Sequence, residues 1–404
     1  MVPSRHAAAS GRQVRASRRR RAGRRPRTPE RGRAPDGSRR VRARTEIPED
    51  PALPGLAAIR AVGLARAVPV LGLADDPVEL VLRGYTPGER ATFEAHVGSR
   101  RLAVKAYASD PASEAALYGA LHTAGIAGPS GVRVPPLLAW ERGLRVLVIG
   151  WLDGPTANEL VKRGEGKRAG ELAALWVQRA AGLQVTLGPT LGAPAFLGRA
   201  RRWATDMSRA DPALGGAATV VTGMLALTAP RRRQRRRAGL GGVVEGLWER
   251  ARAWAADLRP ADPALRFVAA ALPPRPTRAR AVESTPSLVH GTLYARHVVD
   301  LGDGPGVIDW QRFGQGPQEL DAGTFLATIW RIGLKDEGLA SEARLAEETF
   351  VARTAGLLNG CAVAWYRAAV LLRLACKCVR RRSDWLAHGH ALLREAVRQT
   401  EAAG

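Results

Sequence analysis

The stretch that most narrows what this chain can fold into is Leu288–Trp310, LVHGTLYARHVVDLGDGPGVIDW. An apolar strand runs into a His-Gly turn, a short loop follows, and an apolar hairpin then ends on an aspartate. Val298 and Val299 pair with Val307 and Ile308 around a Gly-Asp-Gly-Pro turn. That arrangement predicts His290 and Asp309 at neighbouring strand ends, facing one cleft.

Upstream lies a run of short strands. Leu80 and Leu82 share one face of 79–83, and Phe93, Ala95 and Val97 share one face of 90–97. In 101–107, Leu102, Val104 and Ala106 fall on one side and Lys105 on the other. Thr86-Pro87-Gly88-Glu89 reads as a type II turn with Pro-Gly at its centre. Asp110 and Pro111 then predict an N-cap and a first helical residue, with Gly125 ending the helix. Glu114, Leu117, Tyr118 and Leu121 line up on one face of that helix. A carboxylate aligned with an apolar stripe points inward and needs a partner, which Lys105 on the preceding strand can supply.

Together these segments resemble the aminoglycoside phosphotransferase and choline-kinase-like family. Its catalytic segment reads H-G-D-x-x-x-x-N, followed about 20 residues later by I-D-W or I-D-F. His290, Gly291 and Ile308-Asp309-Trp310 match, whereas the catalytic Asp position holds Thr292 and the metal-binding Asn position holds His297. The resemblance implies an α+β, two-lobed protein-kinase-like fold, with a small antiparallel-sheet lobe and a mostly helical one. It divides the chain into a tail (1–48), an N-lobe (49–152) and a C-lobe (153–404) carrying the loop 288–321. It also implies that Lys105 contacts nucleotide phosphates and that Glu114 holds the lysine in place. Gly84 and Gly88 would lie in the phosphate-covering hairpin, although no G-x-G-x-x-G is present. Ile149 and Leu152 would bound the adenine edge at the connection between lobes. Asp309 would hold Mg²⁺, with His297 beside it, and Asp321 would brace the catalytic loop. ATP is the implied cofactor, and the implied partner is a small-molecule hydroxyl acceptor. Family acceptors include aminoglycosides, choline, homoserine and sugars, and an acidic cleft is the feature that favours a cationic one.

Two functional readings follow from the departures. Thr292 cannot be a base at neutral pH, and loss of a general base costs about 10²–10⁴-fold in rate. Mg²⁺ prefers oxygen, while an imidazole suits softer first-row metals, which brings in Mn²⁺ as an alternative. His297 is also a candidate compensating base, because an imidazole titrates near neutrality. The chain is then either an ATP-dependent small-molecule kinase with a rebuilt catalytic loop, or a pseudokinase that binds nucleotide or metabolite without turnover.

Composition bounds the rest. With 404 residues, 46% of them hydrophobic, there is chain enough for two or three folding units. The net charge of +25 is uneven: residues 1–46 hold 16 Arg against three acidic residues. Only five of 62 basic residues are Lys, a bias that points to a coding sequence rich in G and C. The tail lacks the apolar residues that offset chain ordering, so it is expected to be disordered. It reads as a nonspecific nucleic-acid arm, an Arg-rich targeting segment, or sequence upstream of the true start. Helical patterns are expected over 156–163, 168–186, 196–208, 215–227, 240–258 and from 322 onward. Arg231–Arg237 is expected as a solvated loop, with an anionic-partner patch as the alternative. Three cysteines without repeated C-x-x-C spacing exclude a disulfide framework or a structural zinc site. His388 and His390 lack an i, i+4 metal spacing. No apolar run reaches the ~18 residues of a membrane span and no h-region follows the Arg-rich start, so a cytoplasmic protein without membrane partners is expected.

Overall fold

The computed structural model describes residues 47–73, 77–230, 281–379 and 386–403. The patterns over 231–237 and 240–258 and the basic tail lie outside these residues.

Five strands form one antiparallel sheet: β1 (Val78–Thr86), β2 (Arg90–Val97), β3 (Arg100–Tyr107), β4 (Leu137–Glu141) and β5 (Val146–Gly150), in the order β1-β2-β3-β5-β4. Alternation along the strands sends side chains to two faces. Phe93, Ala95, Val97, Leu102, Val104, Ala106 and Val148 pack on one face against Leu56, Ile59 and Leu64 of helix α1 (Pro54–Ala67). Ala103, Tyr107, Leu147 and Ile149 occupy the other face and pack towards helix α2 (Ala112–Thr123). α1 and the turn after it, Pro54–Leu71, are long and apolar enough for a span by length and composition, contrary to the sequence expectation. The helix breaks at Gly63 (φ 79°), and its Leu56, Ile59 and Leu64 are buried against the sheet, while Val62 is exposed.

α2 begins one residue later than its N-cap signal implies. Pro111 takes the cap position, yet the Asp110 carboxylate still accepts the Ala112 N–H at 2.9 Å. The helix ends as expected: Gly125 has φ 75°, and the Ile126 N–H returns to the Leu121 carbonyl.

The larger lobe is mostly helical. α3 (Ala157–Lys162) opens on a capping box between Thr156 and Glu159. It is followed by α4 (Gly166–Ala181), α5 (Ala193–Ala210) and α6 (Pro212–Leu227). After the undescribed stretch come two small sheets, β6 (Ser287–Val289) with β9 (Gly314–Gly316), and β7 (Val298–Asp300) with β8 (Pro305–Val307). Helices α7 (Gln318–Lys335), α8 (Ala340–Arg353), α9 (Gly360–Val379) and α10 (Leu386–Ala403) complete the described chain. Trp176 of α4 meets Trp310 edge-on at 5.4 Å in one core, while α5, α6, α9 and α10 enclose a second. The result is an α+β, two-lobed, kinase-like fold.

The lobes are also tied together away from the β5–α3 connection. Arg133 donates its N–H to Pro305 and accepts from Val307, extending β8 by a parallel bridge. Its guanidinium also pairs with Asp303 at 2.9 Å.

Candidate active site

The loop after β6 is built around a buried carboxylate. Asp321, in the first turn of α7, accepts the N–H groups of His290 and Gly291 at 2.6 and 2.8 Å. Burial pushes its carboxyl up to about 7, with three backbone donors pulling the other way. Gly291 has φ 74°, and a Cβ there would lie 2.1 Å from the Arg312 carbonyl oxygen, so the turn admits only glycine.

His290 does not open on the cleft, contrary to the sequence expectation. Its ring is fully buried against Trp310, with centroids 4.8 Å apart. Nε2 donates to the Ile308 carbonyl at 2.9 Å, and Nδ1 accepts the Thr292 N–H at 3.3 Å. The ring therefore ties the loop to the strand that delivers Asp309. Burial lowers its pKa to about 4, so it stays neutral at ordinary pH.

That depression has a thermodynamic consequence. Between pH ~6.5 and ~4 the unfolded chain binds a proton at His290 that the folded chain refuses, so this residue's contribution to stability falls as pH drops. The expected size is about 3 kcal/mol over the window, at roughly 1.4 kcal/mol per pH unit. Asp321, shifted upward, works in the opposite direction between about pH 4 and 7. The difference between parent and His290→Gln melting curves, taken from pH 7 to 4.5, isolates the histidine contribution. Parallel curves would refute it.

Thr292 is also buried, with Oγ1 3.5 Å from His290 Nδ1. Its carbonyl accepts from His297 Nδ1 at 2.9 Å, which leaves Nε2 as the lone-pair nitrogen of the neutral ring. That nitrogen is buried, has no hydrogen-bond partner, and stands 3.3 Å from Asp309 Oδ2. Burial, then His290, lowers the His297 pKa to about 3, so the ring carries no proton for Asp309 near neutrality. Two lone-pair atoms facing each other at this distance are a candidate pair of ligands for a cation. The pair fits a divalent ion with one nitrogen and one oxygen ligand from the protein. No group of three or more His, Cys, Asp or Glu suited to a metal occurs among the described residues, so other ligands would come from phosphate or water. Asp309 itself sits at φ 67°, a left-handed conformation that Asp tolerates better than most residues.

Facing this loop from the sheet, Lys105 Nζ lies 2.8 Å from Glu114 Oε1. Tyr107 donates its hydroxyl to Glu114 Oε2 at 2.8 Å, and Gln311 Nε2 donates to the Tyr107 oxygen at 3.3 Å. Lys105, Glu114, Tyr107 and Gln311 thus form one chain from β3 through α2 to the segment just past Asp309. Burial opposes ionisation of Asp309, yet the field of Lys105, with Arg90 adding to it, holds its carboxyl below the ordinary value. Arg90, at the start of β2, brings Nη1 to 3.8 Å from Asp309 Oδ1.

The remaining sequence candidates are placed less directly. Gly84 follows a β-bulge in β1, and Gly88 (φ 70°) supplies the positive φ of the turn. The Gly88 N–H is already donated to Asp50 Oδ2 at 2.7 Å, which also accepts from the Tyr85 hydroxyl at 3.0 Å. Ile149 is buried and pairs with Ala103, while Leu152 is half-buried beside Gly306. Sequence reasoning missed Arg90, Tyr107 and Gln311. Only Tyr107 had a signal, its same-side alternation with Lys105 on β3.

Comparison with known proteins bears on the whole arrangement. The Phosphotransferase enzyme family matches residues 82–356, more than half of the chain. Among solved structures, a thermostable mutant of the aminoglycoside phosphotransferase APH(4)-Ia in its apo form is similar, with 14% identity and a TM-score of 0.49. That match covers 79% of this chain and 94% of the other. A choline/ethanolamine kinase family protein from Mesorhizobium loti gives 17% identity and a TM-score of 0.45, covering 86% and 99%. No curated protein matches the chain. With the family match extending from the first hairpin, through Lys105 and the His290–Asp309 loop, to the helices beyond, the chain belongs to the Phosphotransferase enzyme family.

Proposed function

We propose that the protein binds a nucleoside triphosphate, ATP in the first instance, between Lys105 and Asp309, and passes its terminal phosphoryl group to a hydroxyl of a small molecule. The observation that carries this reading is the buried Lys105–Glu114 pair acting on Asp309 across the cleft. Phosphoryl transfer passes through a loose transition state, so positioning and charge neutralisation supply most of the catalysis. Lys105, oriented by Glu114, steadies the phosphates. Arg90 adds a second positive charge from the hairpin. Asp309 and His297 hold a divalent cation, which when bound neutralises phosphate charge. His290 and Asp321 act as positioning residues that fix the loop. Gly84 and Gly88 shape the hairpin over the site, while Ile149 and Leu152 border the space for the base.

Thr292 supplies no carboxylate to take the acceptor's proton. In a loose transition state that proton leaves late, so such a site is slow rather than inert, short by about 10²–10⁴-fold. The same observation supports a second reading, binding of nucleotide or metabolite without turnover. Release of ADP from ATP by the full chain, together with thermal shifts in ATP, separates the two. A shift without ADP release favours the second reading, and no shift at all removes both.

The nitrogen ligand sets an expectation for the metal. Nucleotide binding is expected to be tighter with Mn²⁺ than with Mg²⁺ by about tenfold, because an imidazole suits the softer ion. His297→Asn replaces the ring by an amide oxygen and should bring the two metals within a few-fold of each other. Titration of the thermal shift with each metal at fixed ADP checks this, and an unchanged metal ratio in the variant would count against His297 as a ligand.

A further inference from the structure

Beside the catalytic loop lies an arginine cluster that the reading above does not use. Arg199 of α5 lies over the Phe196 ring, 4.2 Å from its centroid, and Phe196 in turn meets Tyr366 edge-on at 5.6 Å. Arg199 Nε donates to the Ala195 carbonyl at 3.2 Å, whereas Nη2 is shut off from solvent without any partner. The residues whose charges act most strongly on it are Arg373, Arg202 and Arg312, from α9, α5 and the turn after Asp309. Burial, and then these three guanidiniums, hold the Arg199 pKa below its ordinary value.

The cluster adjoins the catalytic loop. Arg312 is three residues past Asp309, and its carbonyl oxygen is the atom that excludes a side chain at position 291. Arg373 lies 6.0 Å from the ring of Tyr294, two residues after Thr292, and Arg296 covers the same ring at 4.6 Å. Other guanidiniums of the larger lobe are matched to carboxylates, among them Arg168 to Asp300, Arg367 to Glu347 and Arg398 to Glu395. Among the described residues, Arg199, Arg202, Arg296, Arg312 and Arg373 make no ion pair with a carboxylate. A buried donor left unpaired is costly, and like charges gathered beside it add to that cost. An anion among them removes both penalties, and a planar guanidinium suits carboxylate or phosphate oxygens. A cationic acceptor meets repulsion at the same place.

We propose that the acceptor is a small anion, a hydroxyl compound that also bears a carboxylate or phosphate, with its charged group held by Arg199, Arg312 and Arg373 and its hydroxyl turned towards Thr292. This rests on the phosphotransferase reading. In the reaction, the bond from the terminal phosphorus to the bridging oxygen of the nucleoside triphosphate breaks. A bond from that phosphorus to the acceptor oxygen forms, the nucleoside diphosphate leaves, and the hydroxyl proton passes to solvent.

The test uses the full chain and measures thermal shifts with and without ADP and Mn²⁺. The probes are D-glycerate and glycerol phosphate, with glycerol and choline as uncharged and cationic controls. Both anions are expected to stabilise the protein and the controls to do nothing. Arg199→Gln and Arg373→Gln, each separately, should raise the half-saturating anion concentration about tenfold or more. A preference for one anion over the other identifies which charged group the site takes. The proposal is overturned by no anion shift in the parent, by an equal shift in parent and variants, or by a larger shift with choline. A shift given by a short DNA duplex but by neither small anion would make the cluster a nucleic-acid contact and also overturn it. Loss of the ADP response alone counts against the phosphotransferase reading, while the anion arm still reports on the arginines.

Discussion

Thr292→Asp is expected to raise ATP-dependent phosphoryl transfer by about 10²–10⁴-fold, the range a general base contributes. Position 292 already has the required setting. The loop is fixed by Asp321 through the His290 and Gly291 amides, and His297 holds the Thr292 carbonyl. Threonine and aspartate are close in size, so the exchange adds a charge without demanding space. The gain should appear in kcat, since the carboxylate acts on the hydroxyl proton and does not touch the nucleotide. ADP release, measured with water and with glycerate as acceptors, reads the effect. If the variant melts like its parent and still responds to ADP, yet turns over no faster, the missing base is not what limits the site. Binding without turnover would then be the better account.

The second large effect is expected at Lys105. Lys105→Met strands the Glu114 carboxylate in the interior with Tyr107 as its remaining partner, and breaking a buried pair in this way costs about 3–5 kcal/mol. It should also abolish the ADP-induced thermal shift. The two losses are separable. Adding Glu114→Gln to Lys105→Met removes the stranded charge and should restore most of the stability, while the nucleotide response stays absent. Urea melts of the parent, the single and the double variants, each with and without ADP, give both quantities. If the ADP shift returns with stability in the double variant, the lysine serves the fold and not the phosphates.

What the sequence made legible was local. The β1–β3 alternation, the Pro-Gly turn, and the Glu114 stripe with its glycine stop are read from residues within about ten positions of one another. The structure places those elements within about three residues of their expected bounds, the first strand running on to Thr86. The reading failed where a residue's environment is set by distant chain. His290 looked cleft-facing from its strand end, but the Ile308 carbonyl and Trp310, some 20 positions on, turn its ring inward. Residues 53–70 read as a short helix plus linker and not as a span, because their arginines break the run by eye, although the apolar average over Pro54–Leu71 is high. The arginine cluster was out of reach altogether. Its members come from α5, the turn after Asp309 and α9, and in a chain with 62 basic residues nothing marks those few as neighbours.

The strap from Arg133 to Pro305 and Val307 also has a mechanical meaning. The covalent crossing after β5 and this hydrogen-bonded one act as two pins, and two pins define an axle. Any swing of the sheet away from the helices must turn about the line joining them, which leaves the hairpin that leads to Asp309 close to the axis. The Asp309 carboxylate, two residues past Val307 and tied through the Ile308 carbonyl to His290, would then stay with the helical body. Admission of a ligand becomes a tilt at the open rim, with the rear of the crevice staying shut.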